Sequence, residues 1–298
     1  MKKVLVTGGS GFIGSHIMAA LEKRGIETIN VDFQAQDDSK RVTIKKYAGA
    51  LTDKDVDGVD TVFHFGSPCS VLLFKQDPLG SMQNATSSAL HIFELAKTCG
   101  FTVIYPSSGN VYMPAPNPTD EHWNTFPNNL YAVSKIYTEQ LAAYYRETFD
   151  VASTGLRIFL GYGPGEETKG DLASVITLFA KDMMAGKAPK MWGSGEQRRD
   201  AVYIDDIVEL AIKCGSNPKT SILNVGSGKS YSYNEIVAMI NKFAGTSIEP
   251  IHVPKPNDYV DNTLADTSLA AKLYGFVPTP LAEGLRRHIQ YLGKVYKW

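Results

Sequence analysis

Apolar and polar positions along the chain alternate between strand-like and helix-like spacing. Residues 3–7 (KVLVT) form a short apolar run bounded by glycine, which predicts a strand buried on both faces. Residues 12–23 carry apolar side chains at helical spacing, and Gly25 is placed to end that helix. Residues 27–33 (ETINVDF) predict a second strand, residues 41–47 a weaker third and residues 61–65 (TVFHF) a fourth. Residues 84–99 predict a helix closed by Gly100, residues 101–105 a strand, and residues 129–145 a long helix. Strands alternating with helices imply an α/β fold built on a doubly wound parallel sheet. The second half is less regular. Residues 114–127 hold four prolines and read as an irregular loop. Residues 156–160 predict a strand, and residues 161–165 (GYGPG) a sharp turn where the chain leaves the first domain.

Composition narrows the function classes. A chain of 298 residues accommodates two modest domains, or one large domain with an appended lobe. With 43% hydrophobic and 20% charged residues, it is neither disordered nor fibrous. Thirty basic against thirty-one acidic residues leave a formal charge of −1, so neither nucleic acid nor an anionic membrane is an expected partner. No apolar run approaches the ~18–20 residues of a spanning helix. The opening MKKVLVTGG runs directly into a strand and a glycine turn, unlike a signal peptide. Cys69, Cys99 and Cys214 are widely spaced with no CxxC and read as reduced, mostly buried thiols of a cytoplasmic protein. The six histidines show no metal-ligand spacing, and no metal site is expected.

Two motifs carry chemistry. Thr7-Gly8-Gly9-Ser10-Gly11-Phe12-Ile13-Gly14 lies between the first strand and the first helix. Glycine there permits a tight turn, close backbone approach to a pyrophosphate, and close helix–strand packing, with the helix N-terminus facing the phosphates. Asp32 ends the second strand, where its carboxylate can accept hydrogen bonds from ribose hydroxyls and would repel a 2′-phosphate. Residues 33–36 (FQAQ) supply no compensating cation, so NAD is the expected cofactor. The expected architecture is therefore a Rossmann-type sheet with a smaller C-terminal α/β substrate lobe, with the ligand in a cleft between them. Domain one covers residues 1–160 with return segments within about 195–226, and the lobe covers residues 161–194 and 227–298.

The second motif is Tyr131-Ala132-Val133-Ser134-Lys135 on the long helix. Positions i and i+4 share a helix face, so the ammonium can sit near the phenol and draw its pKa from about 10 towards working pH. Such a tyrosine can act as a general base. YxxxK on a helix is also commonplace on solvated faces. Ser107-Ser108, at a strand end upstream, adds a hydroxyl able to polarise the same substrate oxygen.

These residues resemble the extended short-chain dehydrogenases/reductases of the nucleotide-sugar epimerase/dehydratase family. The likeness runs nearly end to end: TGGSGFIGSH, DTVFHF, SSGNVY, YAVSK, LRIFLGYGPG, WGSGEQRRDAVYIDD, NVGSG and ADTSLA. The resemblance implies that Tyr131 removes a sugar hydroxyl proton, usually at C4, that Lys135 holds the nicotinamide ribose, and that Ser108 bonds the reacting oxygen. It also implies cofactor contacts from Gly8, Gly11, Phe12, Ile13, Gly14, Asp32, Phe33, Ala50, Leu51, Phe65, Gly66, Ser67 and Phe159. Substrate contacts would come from Ser108, Asn110, Leu160, Arg199, Lys255 and Asp258, with Arg199 clamping the diphosphate. Arg199 also fits a surface ion pair.

Departures from the family pattern bear on the reaction. Gly109 and Asn110 replace the acidic residues that dehydratases and UDP-glucuronate decarboxylases carry after the catalytic hydroxyl, which disfavours elimination. Residues 64–70 (HFGSPCS) nevertheless resemble the decarboxylase subgroup. Met113 stands for a usual glycine, Leu160 for an asparagine that touches the diphosphate, Lys255 for an arginine, and Ala50 for an aspartate that meets adenine. The expected activity is C4 epimerisation of a UDP-hexose, or its N-acetyl or uronic-acid variant, through a 4-keto intermediate. A reductase, dehydrogenase or decarboxylase of the same family is the alternative, and a non-catalytic NAD-sensing protein the remote one. By resemblance the protein is a cytoplasmic homodimer paired through residues 87–99 and 129–145. Asp205-Asp206 read as a helix cap, Tyr144-Tyr145 and Met183-Met184 as packing, and Arg286-Arg287 as a solvated face.

Overall fold

In the computed structural model, which describes residues 1–35, 41–112, 115, 117–256 and 259–298, the first apolar run forms β1 (Lys3–Thr7) at the expected bounds. It is followed by α1 (Phe12–Glu22), β2 (Glu27–Val31), β3 (Val42–Ile44) and β4 (Thr61–His64). A short α2 (Val71–Gln76) leads into α3 (Pro78–Cys99), then β5 (Thr102–Ser108), α4 (Leu130–Phe149) and β6 (Ser153–Ile158). The remaining elements are β7 (Leu160–Tyr162), α5 (Val175–Met184), β8 (Lys190–Trp192), β9 (Arg198–Tyr203), α6 (Ile204–Ser216), β10 (Ile222–Val225), β11 (Ser230–Ser232), α7 (Tyr233–Ala244), β12 (Ile251–Val253), α8 (Ser268–Tyr274) and α9 (Leu281–Tyr296).

Residues 1–113, 124–158 and 207–223 form one compact unit, and residues 114–123, 159–206 and 224–298 a second. In the first, a seven-stranded sheet has the order β10-β6-β5-β4-β1-β2-β3. The registered pairs from β3 to β6 are parallel, as the alternating pattern implied. Leu5, Val62 and Val103 face a buried cluster with Ile92 and Phe93 of α3 and Tyr145 of α4. Their strand neighbours Val4, Val6, Phe63 and Ile104 are also fully buried and point the other way. On that side, a Cβ on Gly215 of α6 would lie 2.7 Å from the Phe63 ring, so α6 packs directly on the sheet. The second unit holds the three-stranded sheet β11-β9-β7 and the pair β12-β8.

Several expectations shift at their edges. Helix α3 begins at Pro78, six residues before the apolar period becomes visible, because Asp77 caps it by accepting from the Gly80 N–H at 3.0 Å. Asn129 caps α4 by accepting from the Ala132 N–H at 2.9 Å. Gly161 and Tyr162 belong to β7, so the turn starts at Gly163 and Gly165, where φ is 147° and 86°. Asp206 is no cap: it lies inside the first turn of α6 and accepts from the Thr279 N–H and hydroxyl at 2.7 and 2.9 Å. Cys69 and Cys99 are exposed, and only Cys214 of the three is buried. Tyr145 and Met183 pack in cores, whereas Tyr144 is exposed. Arg286 and Arg287 lie on a solvated face, both paired with Glu283.

Candidate active site

The glycine turn after β1 has the geometry a dinucleotide requires. Gly8 has φ 68°, and a Cβ there would lie 2.7 Å from the Gly66 Cα. A Cβ on Gly14 would lie 2.1 Å from the Gly8 carbonyl oxygen, so only glycine lets α1 approach β1 this closely. Gly11 caps α1 with no side chain, and no acidic residue stands in the first turn. The positive end of the helix that begins with Phe12 and Ile13 is therefore not neutralised from within. Asp32, just past β2, accepts from the Ser10 N–H at 3.2 Å and the Gln34 N–H at 2.9 Å. These bonds fix the carboxylate at the turn with acceptor capacity left for ribose hydroxyls. Phe33 is exposed and stacks on Tyr47 with ring centroids 4.2 Å apart. Ala50 is exposed and Leu51 buried.

The loop after β4 closes over this turn. The Phe65 N–H donates to the Thr7 carbonyl at 3.1 Å and the Gly66 N–H to the Thr7 hydroxyl at 3.0 Å. The same hydroxyl lies 2.9 Å from Nδ1 of buried His64. Burial, with the nearby Lys135 cation adding to it, drives the His64 pKa down to about 3, so the imidazole is neutral. Thr7 and His64 thus tie the loop after β4 to the glycine turn, contacts that the quoted motifs did not reveal. The Lys135 ammonium donates to the Ser67 hydroxyl at 3.4 Å.

Tyr131, Lys135 and Ser108 are gathered at the end of β5. The Lys135 Nζ stands 5.4 Å from the Tyr131 ring centroid, the neighbourhood that i,i+4 spacing predicts. Phe74 of α2 packs edge-on against the same ring at 5.8 Å. The expected fall in the tyrosine pKa is not what this chain alone produces. Loss of hydration pushes the partly accessible Tyr131 phenol up to about 12, while a hydrogen bond with Ser108 pulls it down. Burial likewise drives Lys135 down to about 8, which weakens the cation meant to stabilise the phenolate. The two serines have separate duties. Ser107 donates to buried Glu139 at 2.5 Å, leaving Ser108 to meet Tyr131. Glu139 also holds Arg157 through bonds of 2.9 and 2.6 Å, and Arg157 donates to the Tyr112 hydroxyl at 2.7 Å. Glu139 follows Lys135 by four residues, so the helical period that placed Lys135 could have found it. Asn110 lies in a short 3-10 turn, where its N–H donates to the Ser108 hydroxyl at 3.2 Å.

The remaining predicted residues fall in the second unit. The Phe159 N–H donates to the Val225 carbonyl at 3.0 Å, and Leu160 pairs with Ala201 in the β7–β9 ladder. Arg199 is 9% exposed and lies over the rings of Tyr233 and Tyr259. Lys255 is ion-paired with Asp261. Asp258, Met113 and Gln36 lie outside the described residues. No metal-holding cluster of His, Cys, Asp or Glu occurs among the described residues.

Known proteins with similar sequences and structures place this geometry. The chain is 28% identical over 300 residues to a putative UDP-glucose 4-epimerase of Methanocaldococcus jannaschii, covering 97% of this chain and 98% of that one. Its fold superposes with TM-score 0.93 on the UDP-glucose 4-epimerase of Thermotoga maritima, solved with UDP-glucose, at 25% identity and 99% coverage of both chains. It superposes equally well, TM-score 0.93, on the UDP-N-acetylglucosamine 4-epimerase of Methanobrevibacter ruminantium, solved with UDP-N-acetylmuramic acid, at 28% identity over 100% of this chain and 99% of that one. The family model for NAD dependent epimerases/dehydratases matches residues 4–226, a span running from β1 through the Ser108–Tyr131–Lys135 group to the end of β10, and the chain belongs to that family.

Proposed function

We propose that the protein is an NAD-dependent nucleotide-sugar epimerase that inverts C4 of a UDP-hexose, or of its N-acetyl or uronic-acid variant. The observation that carries this reading is the convergence of Ser108, Tyr131 and Lys135 in the unit that also bears the glycine turn and Asp32. The turn, the α1 N-terminus free of a side-chain cap and the Asp32 carboxylate suit a dinucleotide with a free 2′-hydroxyl. When bound there, NAD supplies a hydride acceptor and donor. Tyr131, as phenolate, removes the proton from the C4 hydroxyl while Ser108 donates a hydrogen bond to the same oxygen. Lys135, steadied by Ser67, lowers the cost of that phenolate and holds the nicotinamide ribose. The 4-keto sugar presents its other face, and Tyr131 returns the proton to the inverted oxygen. Gly109 and Asn110 offer no acid–base pair for elimination, which weighs against dehydration. In the second unit, Arg199 would meet the nucleotide diphosphate.

A redox reading within the family draws on Leu160, which cannot donate to a diphosphate. Proton NMR of the purified protein with NAD and one UDP-sugar at a time separates the two. Anomeric signals of the 4-epimer rising to a fixed ratio, with no NADH accumulating, are expected. Net NADH formation, or no new sugar signals across the panel, would overturn the epimerase.

The proposed state is a cytoplasmic homodimer. Leu90 of α3 and Tyr137 and Tyr144 of α4 are exposed, the apolar surface two packed helix pairs would cover. Among the described residues, no helix is long and apolar enough to cross a membrane.

A further inference from the structure

We infer that Tyr233 and Tyr259 form an aromatic brace that presents the Arg199 guanidinium to the substrate diphosphate, which makes both tyrosines positioning residues for ligand binding. This rests on the nucleotide-sugar reading, in which Arg199 meets that diphosphate. Arg199, on β9, is 9% exposed, and a buried charge is costly unless it is compensated. Its neighbours are already neutralised, Arg198 by Glu235 and Lys255 by Asp261. Among the described residues Arg199 has no carboxylate partner. Its hydrogen bond runs from Nη1 to the Arg198 carbonyl at 2.8 Å.

Two ring faces take the place of that carboxylate. The guanidinium carbon lies 5.5 Å from the Tyr233 centroid and 4.8 Å from that of Tyr259, both within cation–π reach. The two phenol oxygens are 2.5 Å apart, so the rings are tied to each other as well as to the cation. Tyr233 opens α7, is 2% exposed and is fixed by the edge-on ring of Phe179 at 5.8 Å. Tyr259 comes from the segment after β12 and receives Trp192 edge-on at 4.8 Å. Attraction to a ring face consumes no N–H donor, so the guanidinium keeps donors for two anionic oxygens. The same unit holds a cavity of about 300 Å³ lined by Gly193, Ser194, Glu196, Gln197, Lys255 and Asp261, on the scale of small-ligand sites, and the backbone joins its lining to the brace, the Arg198 N–H donating to the Asp261 carbonyl and the Tyr233 N–H to the Gln197 carbonyl.

The test is calorimetric titration of the full chain with UDP and, as a phosphate-free control, uridine. In Tyr259→Leu, UDP affinity is expected to fall about tenfold, or about 1.4 kcal/mol, while uridine affinity changes by less than about twofold. Tyr259→Phe keeps the ring face and should stay within about threefold of the parent for UDP. For the sugar nucleotide, KM in Tyr259→Leu should rise about tenfold while kcat falls by less than about threefold, a split that lost packing alone would not produce. Unchanged UDP affinity in Tyr259→Leu overturns the brace, as do equal losses for UDP and uridine, which would put the ring against the nucleoside. A parent protein that binds UDP but inverts no sugar sinks the reaction assignment and leaves the brace to the Tyr259 titrations. A parent that binds no UDP sinks both. Tyr259 is partly exposed, so its variants report even where Tyr233→Leu fails to fold.

Discussion

Glu139→Gln tests whether the buried pair behind the active site sets its geometry. Glu139 and Arg157 are 7% and 6% exposed and joined by two hydrogen bonds, with Ser107 donating to the same carboxylate. Glutamine keeps the shape but loses the charge, and its amide sets donors against the guanidinium's own. Arg157 would then be a buried cation deprived of its carboxylate, with the Tyr112 hydroxyl at 2.7 Å and ring centroid at 4.7 Å. Removing one partner of a buried pair costs about 3–5 kcal/mol because the other charge stays uncompensated. With about 2–4 °C lost per kcal/mol in a unit of this size, the melting midpoint should fall by roughly 6–20 °C. Activity should fall as well, by about tenfold or more, because Ser107 precedes Ser108 and Lys135 stands one turn before Glu139, so a small shift displaces the site. Calorimetric melting at pH 7 and initial rates measure both. Glu139→Met with Arg157→Met removes the charge altogether and should recover at least half of the lost midpoint, since apolar replacement of a buried pair is often neutral. A fall under about 3 °C in Glu139→Gln, or a double variant no more stable than the single one, would refute the reasoning.

Three further outcomes follow from the same structure. Tyr131→Phe should lower turnover by about 10²-fold or more in the sugar-panel NMR assay, and a near-native rate would remove Tyr131 as general base. His64 and His288 are buried with pKa values held down to about 3 and about 4, chiefly by burial. Both are neutral in either state above 6.5, so their contribution is complete there. Below it the unfolded chain takes up protons that the folded chain refuses, and stability falls by about 1.4 kcal/mol per pH unit for each histidine down towards its folded pKa. Urea unfolding between pH 6 and about 4.5 should show that slope reduced by about 1.4 kcal/mol per unit in His288→Asn; an unaltered slope contradicts the assignment. Gel filtration should return twice the monomer mass, and Tyr144→Glu on the exposed face of α4 should shift it towards the monomer. A monomeric parent protein would reject the dimer.

The sheet and its glycine turn were legible in the linear pattern because their causes are local. A buried parallel strand needs an unbroken apolar run, and the approach of α1 to β1 admits no Cβ at Gly14, so KVLVT followed by TGGSGFIG leaves little choice. The pairing of Tyr131 with Lys135 was equally local, fixed by one turn of helix. What the linear pattern could not supply is the environment of those groups. That Tyr131 is driven up rather than down depends on how much water the loop after β4 and Phe74 exclude, which is a property of packing. The division of labour between Ser107 and Ser108 depends on Glu139 arriving from α4 and Arg157 from β6. Arg199 stood out by its position in QRRD, but its partners, Tyr233 and Tyr259, lie 34 and 60 residues further on and meet it only in the folded unit. Residue types and short-range spacing determined which groups exist and on which elements. Burial and long-range contact, which sequence separation does not encode, decided their charges, their partners and hence their chemistry.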